Sequence, residues 1–572
     1  MLRRIGVVGS VALGFVVSAA CGSSSGGSAT GDDGGGAGDA TSSGSGSSSG
    51  SGSGSGGSSG GGSGSSSGGG SGSSSGGGSG SSSGAGHDSG TDAGPPPYDP
   101  SVYQHHKNGT RDGLYMDPVF TQTAAATTHV LTSFIGMVTT DVYSQPLYVV
   151  NGPGGAEAFV VATEDNHVTT YNATTGAMIW DQGPTTYGAY ATRNPPGGSV
   201  GPAHIGITGT PYIDIASRTI FFDAMTTPDN SATFHHKVYA VSLDTGAVKT
   251  NWPVDLNAAV SGFNSGIQNQ RGALQFLGGV LYVPYGGYDG DGGTYYGSVI
   301  GFPVATPQSP TWWHTTAAKG GVWGPGALPT DGVSIFPVTG NTSGTGGTWG
   351  GGEAVIRLAP GPTFSGNAAD YYAPSNWESL DNSDTDLGGA SEIILDMPGA
   401  KYPHLVVAGG KDGNMYVLNR DNLGGIGGEL LMLQVGSGQV KGAPAAYTTA
   451  QGTYVAFHIE NASGSNCPSG QGGNIVVMKL AQSATAVSAT TAWCSTHGGL
   501  GSPMVTTTDG KANPIVWAAS NKLYGYNGDT GAIIVDGTNT GMSSGIQGWN
   551  TPINAKGRMA VGVNGQLYVF TL

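Results

Sequence analysis

An internal repeat constrains the fold of this chain more than any other feature of its sequence. Three fourteen-residue segments, residues 167–180, 237–250 and 522–535, superimpose without gaps. In each segment a strand of alternating apolar residues meets a Thr-Gly turn, and a second strand leaves it. Glycine in such a turn supplies the positive φ that a tight hairpin needs. The repeat therefore predicts a chain built from similar antiparallel strand units.

Prolines mark where the units begin, in five dipeptides upstream of such strands: Gln145-Pro146, Thr210-Pro211, Ala443-Pro444, Ser502-Pro503 and Thr551-Pro552. Proline suits the first residue of a strand, since no ladder hydrogen bond is needed there. Repeats and prolines together give about eight units, starting near residues 145, 209, 271, 324, 389, 441, 501 and 549. The spacing of roughly 50 to 65 residues matches four strands with variable loops. We therefore predict an all-β fold, a single β-propeller of about eight four-stranded blades, with seven blades as the alternative.

The last unit is too short to complete a blade by itself. Few residues follow Pro552, so we predict that a strand from residues 115–134 completes it. Such a strand would close the ring and remove its exposed edges. The propeller is then expected to occupy residues 98–572.

The first 97 residues are predicted to lie outside the propeller. Arg3 and Arg4, followed by an apolar run, indicate an export signal over residues 1–21. The run ends in Ser18-Ala19-Ala20-Cys21, which resembles the bacterial lipobox with Cys21 as the lipid attachment site; plain cleavage after an A-x-A-like site is the alternative. Residues 22–97 are nearly all Gly and Ser and are predicted to form a disordered linker. We therefore expect an exported protein, anchored to the outer membrane, periplasmic or at the cell surface, with the membrane as a partner through the lipid anchor.

The charge balance excludes one class of partner. The chain has 20 Lys and Arg against 36 Asp and Glu, a formal net charge of -16. Nucleic-acid affinity originates mainly in the neutralisation of phosphates by Lys and Arg, and no basic stripe is present. We therefore expect no nucleic acid as a partner.

One repeat carries a family resemblance. Residues 159–166, with Asn172, Thr175-Gly176 and Trp180, resemble the pyrroloquinoline-quinone (PQQ) repeat, whose pattern ends in Asp/Asn, Thr-Gly and an outer-strand Trp. The other two copies keep Thr-Gly but have Thr250 and Val535 where the Trp would stand, which leaves blade-to-blade docking open there. The resemblance covers the chain from about Asp141 onward and implies the quinoprotein-dehydrogenase-like propeller fold.

The resemblance also implies a chemistry that this sequence only partly supports. Quinoprotein dehydrogenases of this family hold PQQ over a calcium ion in the central channel, beside a catalytic aspartate, and many cover it with a ring of adjacent cysteines. The cysteines here are Cys21, Cys467 and Cys494, and none are adjacent. PQQ and calcium therefore remain candidate cofactors, neither is established, and no catalytic residue is assigned.

Two structural or metal-binding features are expected within the propeller. Cys467 and Cys494 flank a strand and its return and are predicted to form a disulfide in an oxidising compartment. Five aspartates in oxygen-rich loops are candidate metal ligands: Asp289, Asp291, Asp381, Asp384 and Asp386. Solvated turns with side-chain hydrogen bonds are the alternative for both loops.

Five tryptophans near strand ends are expected to dock blades against one another: Trp180, Trp312, Trp313, Trp323 and Trp493.

These features favour a binding role over catalysis. We predict a non-catalytic binding or assembly module outside the cytoplasm, whose loops at one end of a rigid propeller hold an unknown protein, peptide or carbohydrate. The alternative is a PQQ- and calcium-dependent quinoprotein oxidoreductase of alcohols or sugars.

Overall fold

A computed structural model describes residues 98–192, 204–229, 232–288 and 291–572. The predicted export signal, the linker, Cys21 and Asp289 lie outside these described residues. Within them, no helix has the length and apolar character needed to cross a membrane. Eight of the nine sheets in the described chain are the blades of an eight-bladed β-propeller, so the predicted fold class and blade number are confirmed.

The strands of each blade are given from the innermost outward. In blade 1 they are Leu147–Val149, Ala158–Ala162, Val168–Asn172 and Met178–Gln182. In blade 2 they are Tyr212–Asp214, Thr219–Thr226, His235–Ser242 and Val254–Asp255. In blade 3 they are Gln275–Leu277, Val280–Gly287, Ser298–Pro303 and Thr311–His314, and Gln268–Asn269 also pairs with the second strand. In blade 4 they are Val338–Thr339, Ala354–Ile356, Tyr371–Ala373 and Gly425–Ile426.

The remaining blades follow in chain order. In blade 5 the strands are Ile393–Asp396, His404–Gly409, Asn414–Asn419 and Leu431–Gln434. In blade 6 they are Val440–Thr449, Gly452–Ala462, Gly473–Gln482 and Val487–Ser495. In blade 7 they are Met504–Thr507, Ile515–Ala519, Leu523–Asn527 and Ile533–Val535. In blade 8 they are Ile553–Ala555, Arg558–Val563 and Gln566–Thr571, followed outward by His129–Val130 and Gly136–Met137.

Helices are short and lie on the connections. The α-helices are Gln122–Ala125, Pro184–Tyr187, Leu256–Ala259 and Trp377–Ser383. The 3-10 helices are Pro153–Gly155, Ala368–Asp370, Leu387–Gly389 and Gly464–Asn466. A two-stranded sheet of Ala318–Lys319 and Thr342–Ser343 joins blades 3 and 4. The low content of charged residues fits this architecture, because most strands are covered on both faces by neighbouring blades.

The N-terminal part of the propeller closes the ring, as predicted. His129 pairs with Thr571 and Val130 with Phe570, so an early segment forms the outer strand of the last blade. A second short strand, Gly136–Met137, pairs with Gln566 and Leu567 at the start of the same blade-8 strand. Blade 4 departs from consecutive order, since its outer strand comes from the connection between the third and fourth strands of blade 5.

Thr-Gly turns receive tryptophans from the preceding blade. The Trp180 indole of blade 1 donates to the Leu243 carbonyl of blade 2 at 3.0 Å, and a Cβ on Gly246 would lie 2.8 Å from that ring. Trp493 of blade 6 likewise donates to Gly528 of blade 7 at 2.8 Å and packs under Gly531. Glycine is therefore needed at both turns, because the backbone has a positive φ and the indole ring approaches where a Cβ would lie.

The propeller has two different ends. Turns between the second and third strands lie with the connections between blades, because Glu164 in such a turn of blade 1 accepts from Gly206 in the connection to blade 2 at 2.9 Å. We call this end the connection face. The other end carries the remaining hairpin turns, as where Arg218 pairs with Asp244 in blade 2. We call it the hairpin face.

Residues 99–117 form a strap that runs across the axis and contacts all eight blades. Val102 bridges Tyr148 of blade 1, and the Tyr103 carbonyl accepts from Ile213 of blade 2. Backbone carbonyls of residues 109, 110, 112 and 113 accept from blades 4, 5, 6 and 7.

The strap is also held by side chains and a short strand. Buried Arg111 donates to carbonyls of Leu274 and Ala327, which reach blades 3 and 4. Leu114–Met116 adds a parallel strand inside blade 7, and the Asp117 carboxylate accepts from Gly557 of blade 8. The strap fills the centre of the ring with hydrogen-bonded backbone.

Candidate functional site

Cations and indole rings meet over the axis at the connection face. The Arg271 guanidinium lies 5.5 Å from the Trp323 ring centroid and 5.1 Å from that of Trp549. Lys411 lies 5.4 Å from Trp323, and Lys441 lies 5.9 Å from Trp549. We call these five residues the mouth cluster. Because Trp323 enters blade 4 and Trp549 enters blade 8, on opposite sides of the ring, Arg271 spans the channel between them.

Two members of the mouth cluster stand at the same point in the repeat. Lys441 and Trp549 stand two residues before Ala443-Pro444 and Thr551-Pro552, where a connection turns into an innermost strand. Blade 5 has Gly389 near this point, and a Cβ there would lie 2.9 Å from Cγ of Lys411. The missing side chain therefore leaves room for the stem of Lys411, which comes from a turn of the same blade.

Carboxylates beside the cluster are engaged with its lysines. Asp386 Oδ2 lies 2.5 Å from Lys411 Nζ, and Asp386 Oδ1 accepts from the Asn341 amide at 2.6 Å. Glu460 lies 3.4 Å from Lys441 Nζ. Both lysine side chains are only 3% exposed, so these carboxylates neutralise cations that are already buried.

Trp549 combines a left-handed backbone conformation with an almost completely buried side chain. Its backbone has φ of 61°, a left-handed conformation that costs a bulky residue about 1–3 kcal/mol. The residue is 6% exposed, and its indole N–H has no hydrogen-bond partner among the described residues. Such strain and an unsatisfied donor are tolerated most often at functional positions.

Two buried glutamates also lie at the connection face. Burial raises the pKa of the Glu164 carboxyl to about 8, although the Gly206 amide and the Thr208 hydroxyl donate to its Oε2. Burial also raises the pKa of Glu353 well above its ordinary value, with nearby Asp386 adding to the shift. Each has one carboxyl oxygen without a partner among the described residues. In both groups burial therefore favours the protonated carboxyl over the carboxylate.

The predicted metal-binding aspartates have other partners. Asp291 pairs with Lys319 at 3.1 Å and accepts from Tyr295 at 2.9 Å. Asp381 accepts from both the backbone and the hydroxyl of Thr342, and Asp384 lies 3.8 Å from Lys411. Within the described chain no three His, Cys, Asp or Glu side chains converge as a metal site would require. A metal role for these residues and for Asp289 stays a prediction.

The structure joins Cys467 and Cys494 by a disulfide. Their Cα atoms lie 5.8 Å apart, across the edge of blade 6 and away from the mouth cluster. Trp323 differs from the expectation for it: its ring lies at the channel mouth among cations, whereas Trp180 and Trp493 dock neighbouring blades as expected.

The residues at the mouth do not fit a calcium-bound quinone. Calcium takes six to eight oxygen ligands in proteins, yet Asp386 is engaged by Lys411, and burial raises the pKa of the Glu164 and Glu353 carboxyls. No adjacent cysteines exist to cover a quinone. Arg271 itself fills the space between the two indoles across the axis.

The sequence carried a signal for the mouth cluster that its motifs did not reveal. Its residues come from units spaced by roughly 50 to 65 positions, so no short motif contains two of them. The signal is positional, since Lys441 and Trp549 each stand two places before a landmark dipeptide. Aligning the unit starts would have brought Arg271, Lys441 and Trp549 into one column.

Comparisons with known proteins identify the fold alone. No protein-family model matches the sequence. No curated protein matches it either. A quinohemoprotein alcohol dehydrogenase from Comamonas testosteroni is similar in structure, at 14% identity and a TM-score of 0.55, over 82% of this chain and 80% of that one.

Two further solved structures are similar to this chain. A quinohemoprotein alcohol dehydrogenase from Pseudomonas putida HK5 matches at 11% identity and a TM-score of 0.56, over 83% of this chain and 80% of that one. A europium-containing methanol dehydrogenase matches at 14% identity and a TM-score of 0.50, over 82% of this chain and 98% of that one. The predicted resemblance to the PQQ-type propellers is therefore confirmed as a shared fold.

Proposed function

We propose that this protein is an exported, non-catalytic binding module that holds an acidic partner at its connection face. The observation that carries the proposal is the mouth cluster, in which Arg271 lies between Trp323 and Trp549. Three cations gather there in a chain with 20 Lys and Arg against 36 Asp and Glu. Arg271 and Trp323 are the partly exposed members of this cluster, and a cation beside an indole favours carboxylate- or phosphate-bearing ligands.

A role without catalysis is supported by how the axis is filled. The strap occupies the channel from the hairpin side, and Arg271 with the two indoles occupies the mouth. Catalysis by the quinone mechanism would need that space and a carboxylate-bound cation. A rigid ring that presents side chains at one end is instead well suited to binding.

The predicted lipid anchor and linker are compatible with a binding site on the connection face. Near the start of the propeller, the Ser101 hydroxyl accepts from the Val150 amide at 3.4 Å, in the first hairpin turn of blade 1 on the hairpin face. If Cys21 carries a lipid, the predicted linker would join the propeller at the hairpin face, and the connection face would point away from the membrane. A flexible coil of the 73 residues 22–94 would span roughly 45 to 50 Å and give the binding end considerable reach.

Calorimetry with a poly-glutamate peptide tests the binding role. We expect a poly-glutamate peptide to bind the full chain, and Lys441→Gln or Arg271→Gln to weaken this binding by about tenfold, since a partly buried cation contributes on the order of 1–2 kcal/mol. Lys401→Gln is the matched control, because Lys401 makes a similar cation–π contact with Tyr402 at 4.9 Å on the hairpin side. Equal affinities of the Lys441 and Lys401 variants would refute the assignment of the mouth cluster.

The alternative, an oxidoreductase, is tested in the same preparation. The protein is incubated with PQQ and calcium, and dye-linked oxidation of alcohols and sugars is measured. We expect no turnover above the control without protein. Calcium-dependent turnover would overturn the non-catalytic role and leave the anion titration to be interpreted separately.

A further inference from the structure

A lysine and an aspartate form a buried pair where the connection from blade 4 enters blade 5. Asp386 directly precedes the 3-10 helix Leu387–Gly389, and Lys411 lies in the turn between the second and third strands of blade 5. The Lys411 amide donates to the Asp386 carbonyl at 2.8 Å. Both side chains are only 3% exposed, and Lys411 Nζ lies 2.5 Å from Asp386 Oδ2. Backbone and side chains therefore hold the amine of one residue against the carboxyl of the other.

The carboxyl carbon of Asp386 is within reach of the lysine nitrogen. With Nζ 2.5 Å from Oδ2 and a carbon–oxygen bond of about 1.23 Å, Nζ can lie no further than about 3.7 Å from Cγ. Reacting atoms in a near-attack geometry are about 3–3.5 Å apart. The other oxygen, Oδ1, accepts from the Asn341 amide at 2.6 Å. A backbone amide in this position would stabilise the negative charge that develops on Oδ1 when a nitrogen attacks Cγ.

The surroundings of the pair exclude water. Lys411 Nζ lies 5.4 Å from the Trp323 ring centroid, and a Cβ on Gly340 would lie 2.8 Å from Asp386 Oδ1 and 3.0 Å from Trp323 Nε1. Two ions held away from water carry a desolvation cost that only partly returns as mutual attraction. Condensation of the pair into a neutral amide would remove both charges and release a water molecule.

Glu353 supplies a buried acid beside this pair. Its side chain is fully buried, and its Oε2 accepts at 2.5 Å from the amide of Leu387, the residue that follows Asp386. Its Oε1 has no hydrogen-bond partner among the described residues. Burial raises the pKa of the Glu353 carboxyl well above its ordinary range, and Asp386 adds to the shift, so the protonated form is favoured. The backbone of Glu353 is left-handed, with φ of 51°, a strain found mostly at functional positions.

We propose that Lys411 Nζ and Asp386 Cγ condense into an isopeptide bond in the folded protein. Within the pair, one proton passes from the ammonium group to the carboxylate, and the neutral amine attacks Cγ. The Nζ–Cγ bond forms, the Cγ–Oδ2 bond breaks, and Oδ2 leaves as water with that proton and a second one from Nζ. Glu353 gives its proton to the departing oxygen and takes the second proton from Nζ, so it is unchanged at the end. The step needs no oxidant and no cofactor.

The bond would tie the entry of blade 5 to a turn of the same blade. It removes the charge of Lys411 from the mouth cluster. Arg271, on which the proposed anion binding rests, keeps its charge and its place between the two indoles. The bond and the anion binding can therefore each fail without the other.

Peptide mapping of the full chain by mass spectrometry tests the bond. Trypsin cleaves after lysine and arginine, so an unmodified chain gives separate peptides of residues 358–401, 402–411 and 412–420. We expect instead one branched peptide, in which residues 358–401 are joined to residues 402–420 with the loss of one water molecule. Fragmentation of this peptide should place the branch at Asp386 and Lys411.

Three variants assign the roles. Lys411→Arg keeps a cation opposite Asp386 but has no amine to condense, so it should give only separate peptides. Glu353→Gln keeps an acceptor for the Leu387 amide but carries no proton, and it should lose most of the branched peptide while still melting cooperatively, since general acid–base catalysis commonly contributes about 10²–10⁴ in rate. Lys441→Arg is the matched control and should keep the branched peptide, because Lys441 is equally buried but its partner Glu460 is 40% exposed at 3.4 Å.

Other results overturn the proposal. Separate peptides from the parent protein would show that Lys411 and Asp386 remain an ion pair. A branch at Asp384, whose carboxylate lies 3.8 Å from Lys411 Nζ, would contradict the assignment to Asp386. An unchanged yield of branched peptide from Glu353→Gln would exclude Glu353 as the proton carrier. Should a variant fail to fold, the digest of the parent still decides whether the bond exists.

Discussion

Single glycines determine how closely neighbouring blades pack. Gly531 has φ of 74°, and a Cβ there would lie 2.8 Å from the Trp493 ring, so Gly531→Ala should suffer both strain and a clash. We expect a loss of about 2–4 kcal/mol in unfolding free energy. Gly510→Ala is the control, since its φ of 91° carries similar strain but its Cβ would meet nothing within 4 Å. Equal losses in urea unfolding would show that the Trp493 contact contributes nothing.

A buried carboxyl should make the stability of the propeller depend on pH. Burial raises the pKa of Glu164 from its ordinary 4.5 to about 8. Between these values the folded protein keeps a proton that the unfolded chain has released, so stability falls as pH rises, by up to about 1.4 kcal/mol per pH unit. Glu164→Gln keeps the acceptor for the Gly206 amide and removes this titration. Urea unfolding between pH 5 and 8 should show a flatter slope for the variant than for the parent or for the exposed control Glu378→Gln.

Among the elements, the strap depends most on one side chain. Arg111 is fully buried and donates to the carbonyls of His105, Leu274 and Ala327 and to the side chain of Gln104. Arg111→Met would leave buried acceptors unpaired, each costing about 1–3 kcal/mol. We therefore expect at least about 3 kcal/mol of destabilisation in guanidinium unfolding.

A surface arginine provides the comparison for this element. Arg218→Met breaks a pair with Asp244 that is about one-third exposed, and such pairs contribute at most about 1 kcal/mol. A loss for Arg111→Met as small as that for Arg218→Met would mean that water replaces the strap's hydrogen bonds and that the strap is loosely held.

The elements differ in how far the sequence predicts them. Thr-Gly turns, the unit starts and the closing strand at His129–Val130 follow from local patterns that recur, so they were predictable. The strap was not, because its backbone and side-chain hydrogen bonds join it to eight distant blades and leave no periodic signature in residues 99–117. The outer strand of blade 4, Gly425–Ile426, was missed for a similar reason: it leaves its own unit to pair with another.

The same limit applies to the candidate site. Cysteine spacing predicted the pair that the structure joins, since both residues lie within one unit. The mouth cluster depends on contacts between connections and turns, which only the closed ring brings together. Aspartate-rich loops suggested metal sites by composition, whereas hydrogen bonds to backbone amides and pairing with lysines account for most of those carboxylates.

At the scale of the whole molecule, ring closure should decide whether the protein stays monomeric. Removing residues 98–137 deletes the strap and both outer strands of blade 8, which exposes the edge of Gln566–Thr571 and empties the axis. Unpaired edges template association with other chains, so we expect aggregates or higher oligomers by light scattering after size exclusion. Removing residues 22–97 is the control: this Gly- and Ser-rich segment offers almost no apolar surface, so a monomer with an unchanged melting temperature is expected. A monomeric, cooperatively melting product of the first deletion would show that seven blades and a three-stranded eighth fold without closure.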